Sequence, residues 1–560
     1  MEAKSFSVWD YVVFSALFVI SCGIGIFFAI KERKKATSRE FLVGGRQMSF
    51  GPVALSLTAS FMSAVTVLGT PSEVYRFGAS FILFFISYTF VIIFTSELFL
   101  PVFYRSGITS TYEYLQLRFN KVVRYAATVI YIVQTVRGSG CLTGFDLWGS
   151  VFATGIVCTF YCTLGGLKAV VWTDAFQMIV MIVGFLTVLI QGSAHNGGLQ
   201  NVLEQASNGS RLHIVDFDVD PLRRHTLWTI SVGGTFTWLG IYGVNQSTIQ
   251  RCISCKTEKH AKLALYFNLL GLWIILVCAV FSGLIMYSHF KDCDPWTSGM
   301  ISAPDQAVLV GDSRKEMMVI SSLLPGLLFG ILCTSMAVAA SLLGGVVQAA
   351  LSIHGMCGGP MLGLFSLGLV FPFVNWKGAL GGLITGITLS FWVAIGAFIY
   401  PAPDSKTWPL PLSTEQCFQS NVTTAAPPEL SNRPTIADTW YSLSYLYYSA
   451  VGCLGCIIAG VIISFITGHQ RGKDVDPLLI RPVCNLFCFW SKKYKTLCWC
   501  GVQHDRGTEQ DNLENGGAWK QGDESVLQNG LQQEGLTHVP GYDPKDKSHD
   551  NMALEKMTYF

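Results

Sequence analysis

Asp174 carries the sharpest chemical meaning in the sequence. It stands in L-K-A-V-V-W-T-D-A-F-Q-M-I-V-M-I-V, at the head of an apolar run. A charged carboxylate inside a membrane span costs roughly 2.5 kcal/mol or more on insertion scales, so such a group usually lines an ion or substrate path. Gln177 lies one turn further on and shares its helix face. The competing reading is a helix-start carboxylate at headgroup level, paired with Lys168. Hydroxyls gather in a second block, where S-L-T-A-S-F-M-S-A-V-T holds Ser56, Thr58, Ser60, Ser63 and Thr66. Small hydroxyls mid-membrane either let helices pack closely or, where a helix is interrupted, satisfy freed backbone groups and offer oxygens to a cation. A third block, T-F-T-W-L-G-I-Y-G-V-N-Q-S-T-I-Q-R-C, combines glycines with the amides of Asn245 and Gln246. That composition suits an unwound helix whose carbonyls face a ligand.

These residues need a membrane to act in, and the composition supplies one. Of 560 residues, 51% are hydrophobic and 13% charged, with a mean hydropathy of +0.44. A soluble domain carries about 25% charged residues. The apolar residues come in long blocks, and a bilayer core of ~30 Å needs about 20 of them per helix. Twelve stretches qualify, near 11–30, 50–71, 79–103, 121–136, 147–165, 173–193, 226–248, 263–289, 317–342, 346–372, 376–400 and 440–467. The first is too long for a signal-peptide core and lacks an A-x-A site, so it reads as a retained span. The fold class expected is an all-α polytopic membrane protein. A net charge of +2 gives no reason to expect a nucleic-acid partner. The seventeen cysteines lie mostly inside apolar runs, where a small buried thiol is the default. Neither a filter-like repeat nor an H-E-x-x-H constellation stands out, which argues against a channel and an enzyme.

Lys and Arg set the orientation. Lys31, Arg33, Lys34, Lys35, Arg39 and Arg46 follow the first span, a strong cytosolic signal. Alternation then puts Arg118, Lys121 and Arg124 inside, and later Arg251, Lys256, Lys259 and Lys262. The sequon at Asn208 falls outside, where it can be glycosylated. With twelve spans, however, the tail comes out extracellular and the sequon at Asn421 cytosolic. Yet Arg471, Lys473, Arg481, Lys492, Lys493 and Lys495 follow the last span. Residues 317–376 contain no Asp, Glu, Lys or Arg, but three spans would fill that stretch with no turns. One helix is therefore expected to be missing upstream of Met317.

The segments F-L-V-G-G-R (41–46), S-L-T-A-S-F-M-S-A-V (56–65), P-S-E-V-Y-R-F-G (71–78), G-G-L-K-A-V-V-W-T-D (165–174), F-T-W-L-G-I-Y-G-V-N-Q (236–246) and Q-R-C (250–252) resemble the sodium:solute symporter family. That family includes glucose, iodide, multivitamin and monocarboxylate carriers, and the chain's overall likeness is greatest to the monocarboxylate carriers. The resemblance implies a five-plus-five inverted repeat, with one helix before the core and two after it, and alternating-access symport without a cofactor. Sodium would be the co-substrate and a small monocarboxylate such as lactate, pyruvate or a short-chain fatty acid the cargo, across a plasma membrane, apical in epithelia. By position it implies one sodium on the carbonyls of Ala59 and Met62. Iodide-carrier-like members add a second among Ser60, Asp174, Gln177 and Gln246. Their anion site matches Thr66 and Trp238, with Gln246 beside it.

Two departures follow. The family's eighth core helix, whose hydroxyls complete the sodium site at Ala59 and Met62, has no counterpart between Gln306 and Leu327. The third core helix is cut after Thr135, where V-R-G-S-G-C stands. The expected organisation is a first helix and basic loop (1–49), a first core repeat (50–193), an extracellular loop (194–225) and a second core repeat lacking its third helix (226–372). Two peripheral helices with an extracellular loop at 401–438 complete the spans (373–469), and a disordered cytosolic tail ends the chain (470–560). The acidic D-F-D-V-D-P (216–221) has Pro221 where a calcium loop needs Gly. His354 reads as a packed, hydrogen-bonded residue. The cysteines around 484–500 with His504 fit no standard zinc spacing; the segment reads as an aromatic-basic stretch on the inner leaflet. Thr558 and the terminal Phe560 suit a PDZ-domain scaffold.

Overall fold

The structure is a computed structural model and describes residues 8–32, 43–62, 65–138, 147–295, 346–407, 409–413, 417, 434–471 and 475–481. All belong to one compact unit, Met1–Val502. Asn421, Thr558, Phe560, Ser63 and the cysteine-rich tail lie outside the described residues, as does the block 317–342.

The described residues are almost entirely helical. The main helices are α1 (Val8–Glu32), α2 (Phe50–Phe61), α3 (Thr70–Phe77), α4 (Phe84–Phe94), α5 (Leu100–Arg105), α6 (Thr111–Arg118), α7 (Lys121–Gly138), α8 (Leu147–His195), α9 (Leu199–Asn208), α10 (Thr235–Tyr242), α11 (Gln246–Ile253), α12 (Glu258–Phe290), α13 (Val346–Val370), α14 (Trp376–Ile399) and α15 (Tyr448–Ile466). Among the described residues, six helical stretches are long and apolar enough to cross a bilayer on their own. Two expected spans, 147–165 and 173–193, form one helix divided at Gly166, whose φ of 57° breaks the hydrogen-bond ladder. The spans at 50–71 and 226–248 are each interrupted, as the hydroxyl block allowed and the glycine–amide block suggested. The polar stretch after His195 contains α9, because Val202 and Ala206, four residues apart, are both buried.

Small residues decide the packing at one side. Gly378, Gly382 and Gly386 recur every four residues on α14, facing Gly452, Cys456, Gly460 and Ser464 of α15 at the same interval. A methyl group on Gly382 would collide with the Cys456 carbonyl, and one on Gly386 with that of Gly452. The two helices meet backbone to backbone, as small-xxx-small stripes do in membranes.

The bundle has two ends, and the contacts at each bear on the topology problem posed by the sequence. At one end, the Tyr75 hydroxyl of α3 donates to Asp294 at 2.7 Å. Glu73 of the same short helix binds Arg224, which also reaches Gln348 on α13. The residues on either side of 296–345 thus lie at the same end. Helix α15 starts at this end, with Tyr445 against His225, and finishes at the other, where Gln470 meets Arg118.

The start of the tail is another correction. Residues 475–481 are docked, with Val475, Leu479 and Ile480 buried. The Tyr114 hydroxyl donates to the Leu479 carbonyl, and the Arg481 amide to Leu369. Apolar side chains in V-D-P-L-L-I find a surface here, and Asp476 caps the turn. Disorder was expected from residue 470 because the segment is too short to show periodicity.

Candidate ion and substrate site

Two helix interruptions frame the candidate site. Helix α2 ends at Phe61, and Met62 leaves helical geometry at φ −79°, ψ 71°. The chain resumes in a wide π turn over Val65–Gly69 before α3, which carries Pro71 in its first turn. An interrupted helix strands carbonyls that must find donors inside the membrane. Here the Met62 amide donates to Ala59 O at 3.1 Å, and the Thr66 hydroxyl to Phe61 O at 2.9 Å. Thr58 donates to Ala54 O and to Asn268 Oδ1. The second interruption separates α10 from α11, where Asn245 caps the new helix by accepting from the Ser247 amide at 2.9 Å.

The break in α2–α3 opens on a cavity of about 10 Å³, room for about one water. Met62, Thr66, Thr70, Tyr88 and Trp238 line it, with Leu272, Ile275, Leu276 and Ala279 as its apolar wall. Thr66 and Trp238, expected at an anion site, and Met62, expected at a sodium site, are thus brought to one place. The Tyr88 ring meets Trp238 edge to face at 5.0 Å. The Trp238 indole N–H is buried and has no hydrogen-bond partner, a donor whose loneliness costs ~1–3 kcal/mol. A carboxylate oxygen would satisfy it.

Asp174 sits apart from this cavity in a polar triangle. Its Oδ2 accepts from the Ser56 hydroxyl at 2.7 Å and from Arg251 Nη2 at 3.0 Å. Arg251 Nε also donates to Ser56 Oγ at 2.8 Å. Both charged side chains are about one-tenth exposed. Ser60, expected near Asp174, donates to the Ser56 carbonyl at 2.9 Å. Gln177 is half-buried on α8, one turn beyond Asp174. Gln246 is engaged elsewhere: its Oε1 accepts from the Thr111 amide at 2.7 Å and the Thr111 hydroxyl at 2.8 Å. It caps α6, and this structure does not bring it to the Asp174 oxygen. Ala59 and Met62 are buried with Met178, Met181 and Phe185 of α8.

Several functional partners were not legible. Arg251 follows Asp174 by 77 residues, and only its place in Q-R-C drew notice. The Glu73–Arg224 pair is equally remote. Cys293 and Cys417 form a disulfide; both stand in polar stretches between expected spans, unlike the cysteines inside the apolar runs, which was the available signal. Asn208 is exposed at the end of α9, where a sequon is reachable. The acidic loop is occupied by cations of the chain itself, Arg223 on Asp216 and Asp218, and Lys406 on Asp220. Asp220 is held below the usual carboxylate range by Lys406, although its partial burial acts the other way. His354 bonds to Ala350 O at 2.9 Å, as a packed residue would.

Known proteins resemble this chain in sequence and fold. The family model described as "Sodium:solute symporter family" matches residues 41–353. The human protein named sodium-coupled monocarboxylate transporter 2 is 77% identical over 616 positions, covering 99% of both chains. Its mouse counterpart is 73% identical over the full length of both. The human alignment runs to 616 positions against 560 residues in this chain, a difference of 56. A solved structure titled as a substrate-bound, outward-open Na+-coupled sialic acid symporter shares the fold, with a TM-score of 0.60 at 17% identity. It covers 83% of this chain and is itself covered completely. On the broken helices, the matched motifs and the full-length relatives together, the chain belongs to the sodium:solute symporter family.

Proposed function

We propose that this chain carries a small monocarboxylate anion, of the lactate, pyruvate or short-chain fatty acid kind, together with sodium by alternating access. The observation that carries the reading is the meeting of Met62, Thr66 and Trp238 at one cavity in an interrupted helix, which has room for about one water here and widens to admit the anion. The Trp238 N–H offers a donor to a carboxylate, the Thr66 hydroxyl becomes a second once it turns from the Phe61 carbonyl, and Leu272, Ile275 and Leu276 offer a wall to a short alkyl group. The names of the full-length relatives support the same cargo. Sodium is assigned to the carbonyls of Ala59 and Met62, and to Ser60, Asp174, Gln177 and Gln246. The latter set requires Gln246 to leave its cap on α6. Uptake of labelled lactate into vesicles, in sodium against a potassium control, tests the reading; equal uptake in both ions would end it.

A specific observation favours a second reading, in which this chain is transport-impaired. Positions of the alignment without a counterpart here, together with the flanks of 296–345 at one end of the bundle, support the loss of internal helical segments. Without the eighth core helix, the sodium site at Ala59 and Met62 lacks its hydroxyl side. Intracellular retention and little sodium-dependent uptake are the expected result, and lactate currents equal to those of a full-length relative would refute it.

The end of the bundle bearing Arg105, Arg118, Lys262 and Arg481 is assigned to the cytosol, and the end bearing Asn208 and the disulfide to the outside. Asn208 and Asn421 are then glycosylation sites at an apical plasma membrane. Thr558 and Phe560 are offered to a PDZ scaffold, testable with a tail peptide lacking Phe560.

A further inference from the structure

Arg251 joins three elements at one point. It lies on α11, just after the second interruption, and reaches Asp174 on α8 and Ser56 on α2. Its Nη1 turns back to the Ser247 carbonyl at 3.2 Å. Ser56 is fully buried, and its hydroxyl donates to the same Asp174 oxygen that takes the guanidinium. The triangle is closed. Any cation seeking the carboxylate and the Ser56 oxygen meets oxygens already engaged by a group of equal charge. Two like charges on one buried carboxylate repel strongly at such short range. A bare Asp174 in this setting would carry a heavy desolvation cost, so the carboxylate needs one cation and has room for one.

We propose that Arg251 is a tethered stand-in for sodium, which holds Asp174 while the ion is absent and is expelled when it binds. This rests on the sodium-symport reading and goes beyond it, because it assigns the step by which ion binding becomes motion. Expulsion of Arg251 cuts the side-chain ties from α11 to α2 and to α8 together. What then remains at the far end of α11 is backbone pairing, Met48 N–H to Ser254 O at 3.0 Å and Lys256 N–H to Met48 O at 3.2 Å. The side-chain latch from α11 to α2 is therefore closed only while the ion is away, whereas the stacking of Phe61 on Tyr242 persists. By linkage, whatever draws Arg251 off also tightens sodium, and by the same factor.

The test uses the purified full chain in detergent. Phenylglyoxal modification of Arg251 is read by mass spectrometry in sodium and in choline at equal ionic strength. Modification several-fold faster in sodium is the expected result. In Asp174→Asn it should be fast in both salts. Binding of radiolabelled sodium provides a second measure: Arg251→Gln should bind about tenfold more tightly, within the usual range of coupling between sites. Arg251→Lys, which keeps the charge, should stay near the parent. Equal modification in sodium and choline in the parent chain, with Asp174→Asn faster, would overturn the proposal. So would an Arg251→Gln variant that binds sodium no better than the parent. A purely structural arginine gives those results. Neither measurement involves a monocarboxylate or uptake, so the cargo reading can fail while the stand-in holds, and the reverse.

Discussion

Two buried carboxylate–arginine pairs sit at opposite ends of the same interrupted helix, and they are built differently. At the outer end, one nitrogen of Arg224 bridges both oxygens of Glu73, at 2.8 and 2.9 Å. The guanidinium lies over the Phe77 ring at 4.2 Å and near Tyr445 at 5.1 Å. At the inner end, Arg251 takes one oxygen of Asp174, and the neighbour is a serine hydroxyl. Aromatic faces cover the outer pair, and the one amide oxygen beside it, Gln348 Oε1, accepts from Arg224 and not from the carboxylate's side. The Ser56 oxygen beside the inner pair is a ligand already in position. Similar burial thus serves two ends: the outer pair seals, whereas the inner pair can be exchanged.

The comparison breaks most visibly at Asp174. Asp174→Ala in a full-length relative should abolish sodium-driven uptake, because no neighbouring group replaces its charge. Normal sodium affinity and rate, at equal surface expression, would show the inner pair to be a fixed strut like the outer one. Next comes Glu73→Ala, which leaves Arg224 buried without its counter-charge. Such a loss costs ~3–5 kcal/mol and should appear as a marked fall in the melting temperature of the purified protein. An unchanged melting temperature would mean that the aromatic seal is not closed.

The outer end has a second fastening, which sharpens the contrast. The Cys293–Cys417 disulfide closes a loop with a sequence separation of 124. Replacing both cysteines by serine should cost ~2–4 kcal/mol, read by denaturation, while leaving Arg251 reactivity untouched. A change in that reactivity would mean that the two ends are not independent. The smallest effect is expected from Ser56→Ala, which removes one hydrogen bond from each inner partner, ~1 kcal/mol apiece. Its stability should fall by about 2 kcal/mol at most, and its sodium affinity should fall with it. Unaltered affinity would remove Ser56 from the ion's path.

The interruptions were legible in the sequence because they are local. Glycines with amides near Gly243, and hydroxyls followed by Pro71, announce a helix that cannot continue. The stripe of Gly378, Gly382 and Gly386 is equally local. What escaped was pairing across distance. Asp174 announced that it needed a cation, yet Lys168 was the partner in view, because Arg251 becomes a neighbour only once α8 and α11 have folded together. The place of Gln246 escaped for the same reason: nothing in its own segment reveals that the start of α6 will arrive to take its amide oxygen. The docked residues 475–481 escaped because a few apolar side chains carry no period.

The return of the chain to the same end across 296–345 bears on how the protein is made. Helices are threaded into the membrane in order, before the bundle exists to hold them. If the single apolar block at 317–342 enters as one span, α13, α14 and α15 are threaded upside down, and Arg471, Lys473 and Arg481 must cross with them. The positive charges pull one way and the apolar block the other. The newly made chain then emerges as two populations of opposite orientation, and only the population that matches the folded bundle exposes Asn421 to the glycosylation machinery. A split between glycosylated and bare Asn421, with Asn208 uniformly modified, is the mark this conflict would leave in newly synthesised protein.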